Sequence, residues 1–277
     1  MSKLFLNLGC GSRFIETWTN VDFVSQNQFV IEHDLKKGIL FNDHHFEVVY
    51  HSHVLEHFSK IEAEKFIHEC YRVLKKNGII RVVLPDLEMI VRLYIDKLEK
   101  VKKNPTPYNK ANYDWSMLEL YDQCVRKHSG GEMLSYWSKE NIINEDWVVD
   151  RVGSEFLNFK KYNKAHRDTY SPNIISKKIK KITNNFNFRD IILKLITGKN
   201  NATELLRIGE FCTSGEIHQW MYDSYSLADL LKNVGFRQIK SVDAFTSNIP
   251  CWQQYQILDI EKGRIRKPDS FFIEAVK

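Results

Sequence analysis

Three histidines and a glutamate fall within one short stretch, His51-Ser52-His53-Val54-Leu55-Glu56-His57. Imidazole exchanges a proton near neutral pH, so acid–base chemistry is expected here. The stretch follows an apolar run, Phe46-Glu47-Val48-Val49-Tyr50, that reads as a strand. Alternate residues of a strand share a face, which groups His51 with His53. His53 is the first candidate for a general base or for orienting an acceptor. His51 is expected against a bound ligand or the strand end, and His57 as a cap or wall residue. Each has a plainer alternative as a hydrogen-bonded structural histidine. A second candidate base is His218, which stands among Glu216, Trp220, Tyr222 and Asp223. Trp220 and Tyr222 offer flat apolar faces suited to a sugar ring, although aromatic side chains are commoner in a core. The turn Gly130-Gly131-Glu132 could present Glu132 to the same place.

A second group of residues suits a nucleoside. Leu6-Asn7-Leu8-Gly9-Cys10-Gly11-Ser12 puts two glycines directly after an apolar strand. Glycine allows a tight turn and close approach of a ligand to the backbone. A dinucleotide loop would want a third small residue at position 14, where the chain has Phe14, so an NAD crevice is disfavoured. Asp22 lies eleven residues past Gly11, at the end of a second strand. A carboxylate there can accept from two ribose hydroxyls. Asp34 follows a third strand and can accept from an exocyclic amine, while Leu35 packs an aromatic base. All these positions fall at the carboxyl ends of strands, where open α/β sheets bind ligands.

The elements that must hold these residues follow from hydrophobic pattern. Strands are expected at 4–8, 20–23, 29–32, 46–50 and 79–84, the last closing at Pro85. Residues 61–74 carry Ile61, Phe66, Ile67, Cys70, Tyr71 and Leu74 at helical spacing, and Asn77-Gly78 is expected to cap that helix. Strands separated by helix-length segments imply a mostly parallel sheet. Residues 226–234 read as a capped amphipathic helix ending at Gly235, followed by strands at 239–245 and 271–276. The intervening stretch lacks this rhythm. The organisation expected is a core of residues 1–86 and 223–277, with 87–222 as a mostly helical insertion that forms a lid and an acceptor site.

Composition narrows the class. The chain has 277 residues, of which 43% are hydrophobic and 27% charged, an ordinary globular balance for one large domain or two small ones. Its apolar runs are too short for a spanning helix, and its start is too short in apolar residues for a signal peptide. Five widely spaced cysteines without a CxxC pair fit a reducing cytoplasm rather than a disulfide framework or cysteine zinc site. Net charge is only +5, yet residues 160–199 hold eleven Lys or Arg against Asp168 and Asp190. Lys177, Lys178, Lys180 and Lys181 lie there beside Ile179, Ile182 and Phe186. This reads as a solvated helix with a core face, or as a basic amphipathic surface for an anionic lipid or substrate.

Taken together the motifs resemble class I S-adenosylmethionine (SAM)-dependent methyltransferases of the type 11 family. Leu8-Gly9-Cys10-Gly11 is similar to the first motif, and residues 34–41 to the D-(x)n-LPF element, with Leu40 in place of proline. Phe46-Glu47-Val48-Val49 is similar to F-D-V-V, Val54-Leu55-Glu56-His57 to the LEH element, and Leu74-Lys75-Lys76-Asn77-Gly78 to LKPGG. The resemblance is dense over 4–86 and loose over 226–276. It implies a Rossmann-like, mostly parallel sheet, SAM as cofactor and S-adenosylhomocysteine as product. It implies cofactor contacts from Asn7, Gly9, Cys10, Gly11, Asp22, Asp34, Leu35, His51, Ser52 and His57. His53 and His218 are then the catalytic candidates, and Glu132, Trp220 and Tyr222 the acceptor-binding ones. Methyl transfer needs no metal, and His51, His53 and His57 come without a carboxylate pair, so no metal is expected. The family's helices before the first motif have no counterpart ahead of residue 4, which assigns the lid to the insertion.

Three further segments, His218-Gln219-Trp220-Met221-Tyr222-Asp223, Ser247-Asn248-Ile249-Pro250-Cys251-Trp252 and Arg266-Lys267-Pro268-Asp269-Ser270, resemble a subgroup associated with surface-polysaccharide biosynthesis. That likeness implies O-methylation of a sugar hydroxyl, on a glycan or its activated or lipid-linked precursor. It also implies a cytoplasmic enzyme, with residues 160–199 available to touch the inner face of a membrane. RNA or protein as acceptor, and a non-catalytic SAM-binding protein, stay open as alternatives. No nucleic-acid-binding module is recognised.

Overall fold

The computed structural model describes residues 4–25, 27–169, 194–199 and 201–277. A seven-stranded sheet organises them. Its strands are β1 (Phe5–Leu8), β2 (Thr19–Asp22), β3 (Val30–Glu32), β4 (Phe46–Ser52), β5 (Leu74–Pro85), β6 (Arg237–Val242) and β9 (Ser270–Val276). They run in the order β3-β2-β1-β4-β5-β9-β6. The pairs from β3 through β5 are parallel, and β9 lies antiparallel between β5 and β6. The order reverses between β1 and β4, which opens a crevice at their carboxyl ends. This is the Rossmann-like sheet that the motifs imply. A two-stranded ribbon, β7 (Ile260–Glu261) with β8 (Arg264–Ile265), lies apart from it.

One face is covered by α1 (Lys60–Val73) and by Ser224–Val234, the last helix, α8. α1 starts at a reciprocal cap, in which Ser59 Oγ accepts from Glu62 N and Glu62 Oε2 accepts from Ser59 N at 2.9 Å. Ala63, Phe66, Ile67, Cys70 and Val73 form its buried stripe, whereas Ile61 is 70% exposed and belongs outside it. Asp223 caps α8, accepting from Ser226 N at 2.7 Å, and Gly235 ends it with φ 114°. Leu227, Leu231 and Val234 then pack with Phe66, Val73 and Ile80 in one core. The expected cap at Asn77-Gly78 is corrected. α1 already stops at Val73, because Leu74 turns extended and pairs with Phe46. Asn77-Gly78 lies inside β5, where the register with β4 shifts and Asn77 takes φ 62°.

The second face departs from strand–helix alternation. Residues 9–18, all described, contain no helix between β1 and β2. The C-terminal segment packs there instead. Ala244, Ile249, Trp252 and Leu258 join Phe5, Trp18, Val48, Tyr50 and Phe272 in a second core. Arg81 of β5 fixes that segment from below. It is fully buried and bonds to Asp259 at 2.9 and 3.0 Å, to Glu274 at 2.8 Å, and to the carbonyls of Asp243 and Thr246. The Ser247–Trp252 motif therefore has a structural use here: Asn248 N and Ser247 Oγ donate to Glu274, and Trp252 Nε1 donates to Ala244 O.

Between β5 and α8 the described chain is mostly helical, with α2 (Leu87–Lys103), α3 (Pro107–Val125), α4 (Gly131–Trp137), α5 (Glu145–Val152), α6 (Ser154–Thr169) and α7 (Ala202–Cys212). Trp115, Met133, Tyr136, Val148, Val152 and Phe156 give it a core of its own. Arg151 bonds to Glu119 at 2.7 Å and ties α5 to α3. Lys177, Lys178, Lys180, Lys181 and most of the basic segment lie outside the described residues. No helix among the described residues is long and apolar enough to cross a membrane.

Candidate functional site

Two cavities meet at the carboxyl ends of the parallel strands, and His53 lines both. The larger, about 330 Å³, is walled by Gly9, Asp22, Phe23, His33, Asp34, Leu35, His57, Phe58 and the backbone turn Thr213-Ser214-Gly215. The smaller, about 210 Å³, is lined by Gln123, Arg126, Gly130, Met133, Leu134, Trp137, Val152, Glu155, Lys267 and Asp269.

The larger cavity is shaped by the turn after β1. Gly9 has φ 62° and Gly11 φ 52°, the left-handed region that glycine enters without a Cβ penalty. A Cβ on Gly9 would stand 2.3 Å from Cγ2 of Val54, so the turn lies tight against the strand-end of β4. Asp22 holds the same turn: its Oδ2 accepts from Gly11 N at 2.7 Å and its Oδ1 from Val24 N at 3.3 Å. Asp34 caps the turn that follows β3, accepting from Lys36 N at 3.0 Å. The two carboxylates stand at adjacent strand ends, with Leu35 and Phe58 as apolar walls. This pattern fits an adenosine moiety: acceptors for ribose hydroxyls and an amine, with apolar surface for a base. The helix-free stretch after the glycines supplies no helix N-terminus for a pyrophosphate, which argues against a dinucleotide.

The smaller cavity is polar on one side and aromatic on the other. Lys267 pairs with Glu155 at 3.2 Å, and Arg126 with Asp122 at 3.0 Å and Glu216 at 3.4 Å. Nε1 of Trp137 and Nε of Arg126 are buried without a hydrogen-bond partner among the described residues. Burial pushes the Asp269 carboxyl up to about 6, against the pull of Lys267.

His53 itself is firmly set. Its N–H donates to Val83 O at 2.9 Å, its Nε2 is 2.8 Å from Ser270 Oγ, and its backbone sits at φ 55°. A non-glycine residue in that region costs on the order of 1 kcal/mol and is a marker of functional sites. Burial, and then Lys267, keep its pKa well below the usual histidine value, so the ring is neutral at physiological pH. A neutral imidazole between two cavities can accept a proton from an occupant of the smaller one.

Several expected site residues are placed elsewhere. His51 is completely buried against Phe66 on the helix side of the sheet, with ring centroids 5.2 Å apart; burial lowers its pKa to about 3. It touches neither cavity. Asn7 is interior too, donating to Arg13 O at 3.1 Å and Asn20 Oδ1 at 3.3 Å, so it braces the turn instead of lining it. The Cys10 thiol is buried, pushed up to about 12 chiefly by burial and then by Asp22, and its side chain lines neither cavity. Ser52 ends β4 but walls neither cavity. Tyr222 packs in the main core, where its carbonyl accepts from Leu87 N at 3.0 Å. Trp220 is 40% exposed with the Lys60 ammonium over its ring at 4.3 Å. Glu132 points outward; its N–H donates to Asp122, and the neighbouring Gly130, Met133 and Leu134 line the cavity. His218 is 4% exposed and lines neither cavity itself; its ring stands 4.9 Å from that of His57, which walls the larger one.

Sequence reasoning missed Arg126, Lys267, Asp269, Ser270 and Thr213-Ser214-Gly215. Each comes from more than 65 residues away from His53, and only tertiary closure places it. Only Lys267, Asp269 and Ser270 carried a signal, through the Arg266–Ser270 motif.

Residues 15–82 match the family model described as a methyltransferase domain. That stretch contains Asp22, Asp34 and the whole His53–His57 region. The chain thus carries a SAM-dependent methyltransferase domain over those residues, with SAM as its cofactor. Similar solved structures include a SAM-dependent methyltransferase from Archaeoglobus fulgidus, at 14% identity, covering 99% of this chain and 86% of that one with a TM-score of 0.39. Another, from Mesorhizobium loti, has 10% identity over 99% of this chain and 90% of that one, also with a TM-score of 0.39. No curated protein matches the sequence.

Proposed function

We propose that the chain transfers a methyl group to a hydroxyl of a saccharide, on a surface glycan or its activated or lipid-linked precursor. The observation that carries this is the position of His53, in the wall of both cavities. The larger cavity fits the cofactor, with Asp22 and Asp34 as acceptors for its ribose and adenine and the Gly9 turn as its floor. SAM supplies an activated methyl group when bound. The chain's part is to align the acceptor, exclude water and take the hydroxyl proton. His53 takes that proton, Ser270 orients its ring, and Thr213-Ser214-Gly215 close the cofactor side.

The smaller cavity supports a sugar through its mix of groups. Trp137, Met133 and Leu134 offer apolar surface, while Arg126, Lys267, Glu155 and Asp269 offer donors and acceptors for hydroxyls or a phosphate. The basic stretch 160–199 supports contact of the enzyme with an anionic acceptor or membrane. The test is transfer from isotopically labelled SAM to a panel of nucleotide sugars and glycans, with bulk RNA and protein in parallel. Label in a sugar methyl ether, lost in His53→Ala, is the expected result. Label only in RNA or protein would contradict the proposal.

A further inference from the structure

Glu56, His57 and His218 form a group that proton transfer by His53 does not use. One ligand atom from each lies within 4.8 Å of the others. Among the described residues, both carboxylate oxygens of Glu56 are buried without a hydrogen-bond partner, and so is Nδ1 of His218. The two side chains are 1% and 4% exposed. A buried carboxylate left unsatisfied costs several kcal/mol, and a cation would compensate it. His53 Nδ1 comes within 3.3 Å of Glu56 Oε1, but without hydrogen-bond alignment.

The backbone around the group is pinned from several sides. Gln219 N and Trp220 N both donate to Glu56 O, at 2.7 and 3.2 Å, and His218 N donates to Gln123 O at 3.0 Å. His57 Nδ1 lies 3.2 Å from Ile217 O, which makes it the protonated nitrogen and leaves the Nε2 lone pair available. His218 Nε2 stands 4.0 Å from Glu56 Oε1. That is too long for a hydrogen bond but close to the roughly 3–4 Å between two ligands of one ion at bonds of about 2.1 Å. The neighbouring cations, Arg126 and Lys267, are each paired with a carboxylate, so their charge is already offset.

We propose that Glu56, His57 and His218 bind a first-row transition dication at the boundary between the two cavities. Two imidazoles and one carboxylate suit Zn²⁺, Mn²⁺, Fe²⁺ or Co²⁺ and disfavour Mg²⁺ and Ca²⁺, which prefer oxygen ligands. Three protein ligands leave coordination positions for water or a substrate oxygen. His57 lines the larger cavity, and Gln123, which accepts from His218 N, lines the smaller. An acceptor hydroxyl bound to the ion loses its proton more readily, and that proton passes to His53 or to water. This role rests on the hydroxyl acceptor proposed above; metal binding itself does not.

The test starts from full-length protein stripped with a chelator. Co²⁺ is titrated in while visible absorption reports its coordination, and Zn²⁺ and Mg²⁺ are titrated by calorimetry. One equivalent of Co²⁺ and of Zn²⁺ is expected, without comparable Mg²⁺ binding. Affinity is expected to fall about 100-fold or more in both His218→Ala and the near-isosteric Glu56→Gln. S-adenosylhomocysteine titration of each variant verifies its fold and reports the cofactor site separately. No uptake, which is the outcome for a site holding only water, would overturn the proposal, as would uptake unchanged in variants that still bind S-adenosylhomocysteine. Uptake with methyl transfer indifferent to chelation would overturn the role in acceptor activation.

Discussion

Replacing Gly9 by alanine tests the cofactor turn most sharply, because the structure separates it from the neighbouring glycine. At Gly9 the added Cβ would lie 2.3 Å from Cγ2 and 3.4 Å from Cγ1 of Val54. Favourable carbon contacts begin near 3.5 Å, so more than 1 Å of overlap must be relieved. Val54 cannot simply retreat, since it is 7% exposed and packed in the main core. Overpacking of this kind costs about 1–3 kcal/mol, and alanine in the left-handed region adds about 1–2 kcal/mol. The less costly escape is movement of the turn, which carries Gly11 N away from Asp22. The penalty then falls on the cofactor site. At about 1.4 kcal/mol per factor of ten, S-adenosylhomocysteine affinity is expected to drop roughly 30-fold to 4,000-fold. At Gly11 an added Cβ meets no atom of the described residues within 4 Å beyond its chain neighbours, so Gly11→Ala carries only the backbone cost and loses about tenfold. The assay is calorimetric titration of both variants, with Gly9→Ala/Val54→Ala as a steric rescue. Wild-type affinity in Gly9→Ala, or equal losses at the two glycines, would refute the reasoning.

Three further outcomes follow from other parts of the site. His53→Ala is expected to lower kcat by about 10²–10³ while S-adenosylhomocysteine affinity changes only a few-fold; an equal loss of both would make His53 a binding residue instead. Asp269 has a carboxyl raised to about 6 from 3.8, by burial first; Lys267 and Arg151 oppose the rise, and Glu119 and Glu155 add to it. Its folded form therefore holds the proton longer than the unfolded form, and stability is lost as pH rises between those values. The cost is at most about 3 kcal/mol, and about 1–2 kcal/mol once partial exposure is allowed for. Urea titrations should show the stability of Asp269→Asn relative to wild type rising from about pH 4 to about pH 7, and a pH-independent difference would sink the idea. Arg81→Met leaves Asp259 and Glu274 buried without their cation, so urea unfolding should show a loss of about 3–5 kcal/mol. A loss below about 1 kcal/mol would show that the segment 243–265 is held by other contacts.

The positions readable from sequence are those set by the local chain. Gly9, Gly11 and Asp34 follow a strand closely and Asp22 ends one, and strand patterning alone puts such residues at one end of a parallel sheet. His53 is placed in the same way, whereas its partner Ser270 shows in the sequence only as part of the Arg266–Ser270 motif. What stayed hidden depends on closure across the fold. Lys267, Asp269 and Arg126 reach the smaller cavity only after the C-terminal segment packs on the sheet and α3 packs over its end. Strand alternation suggested that His51 shares a side with His53. The left-handed backbone at His53 breaks that alternation, leaving His51 in the core and its neighbour in the cavity wall. Tyr222 was misplaced because an aromatic residue before a helix serves a core as well as a ligand. The stretch 9–18 needs no helix for a related reason: the apolar residues that cover that face, Ala244 to Leu258, come from the other end of the chain.

The most direct measurement of the central claim is a crystal structure with S-adenosylhomocysteine. The account predicts ribose hydroxyls on Asp22, adenine beside Asp34 and Leu35, and the sulfur facing His53 at the opening to the smaller cavity. S-adenosylhomocysteine bound elsewhere, or bound there with its sulfur turned away from His53, would contradict it.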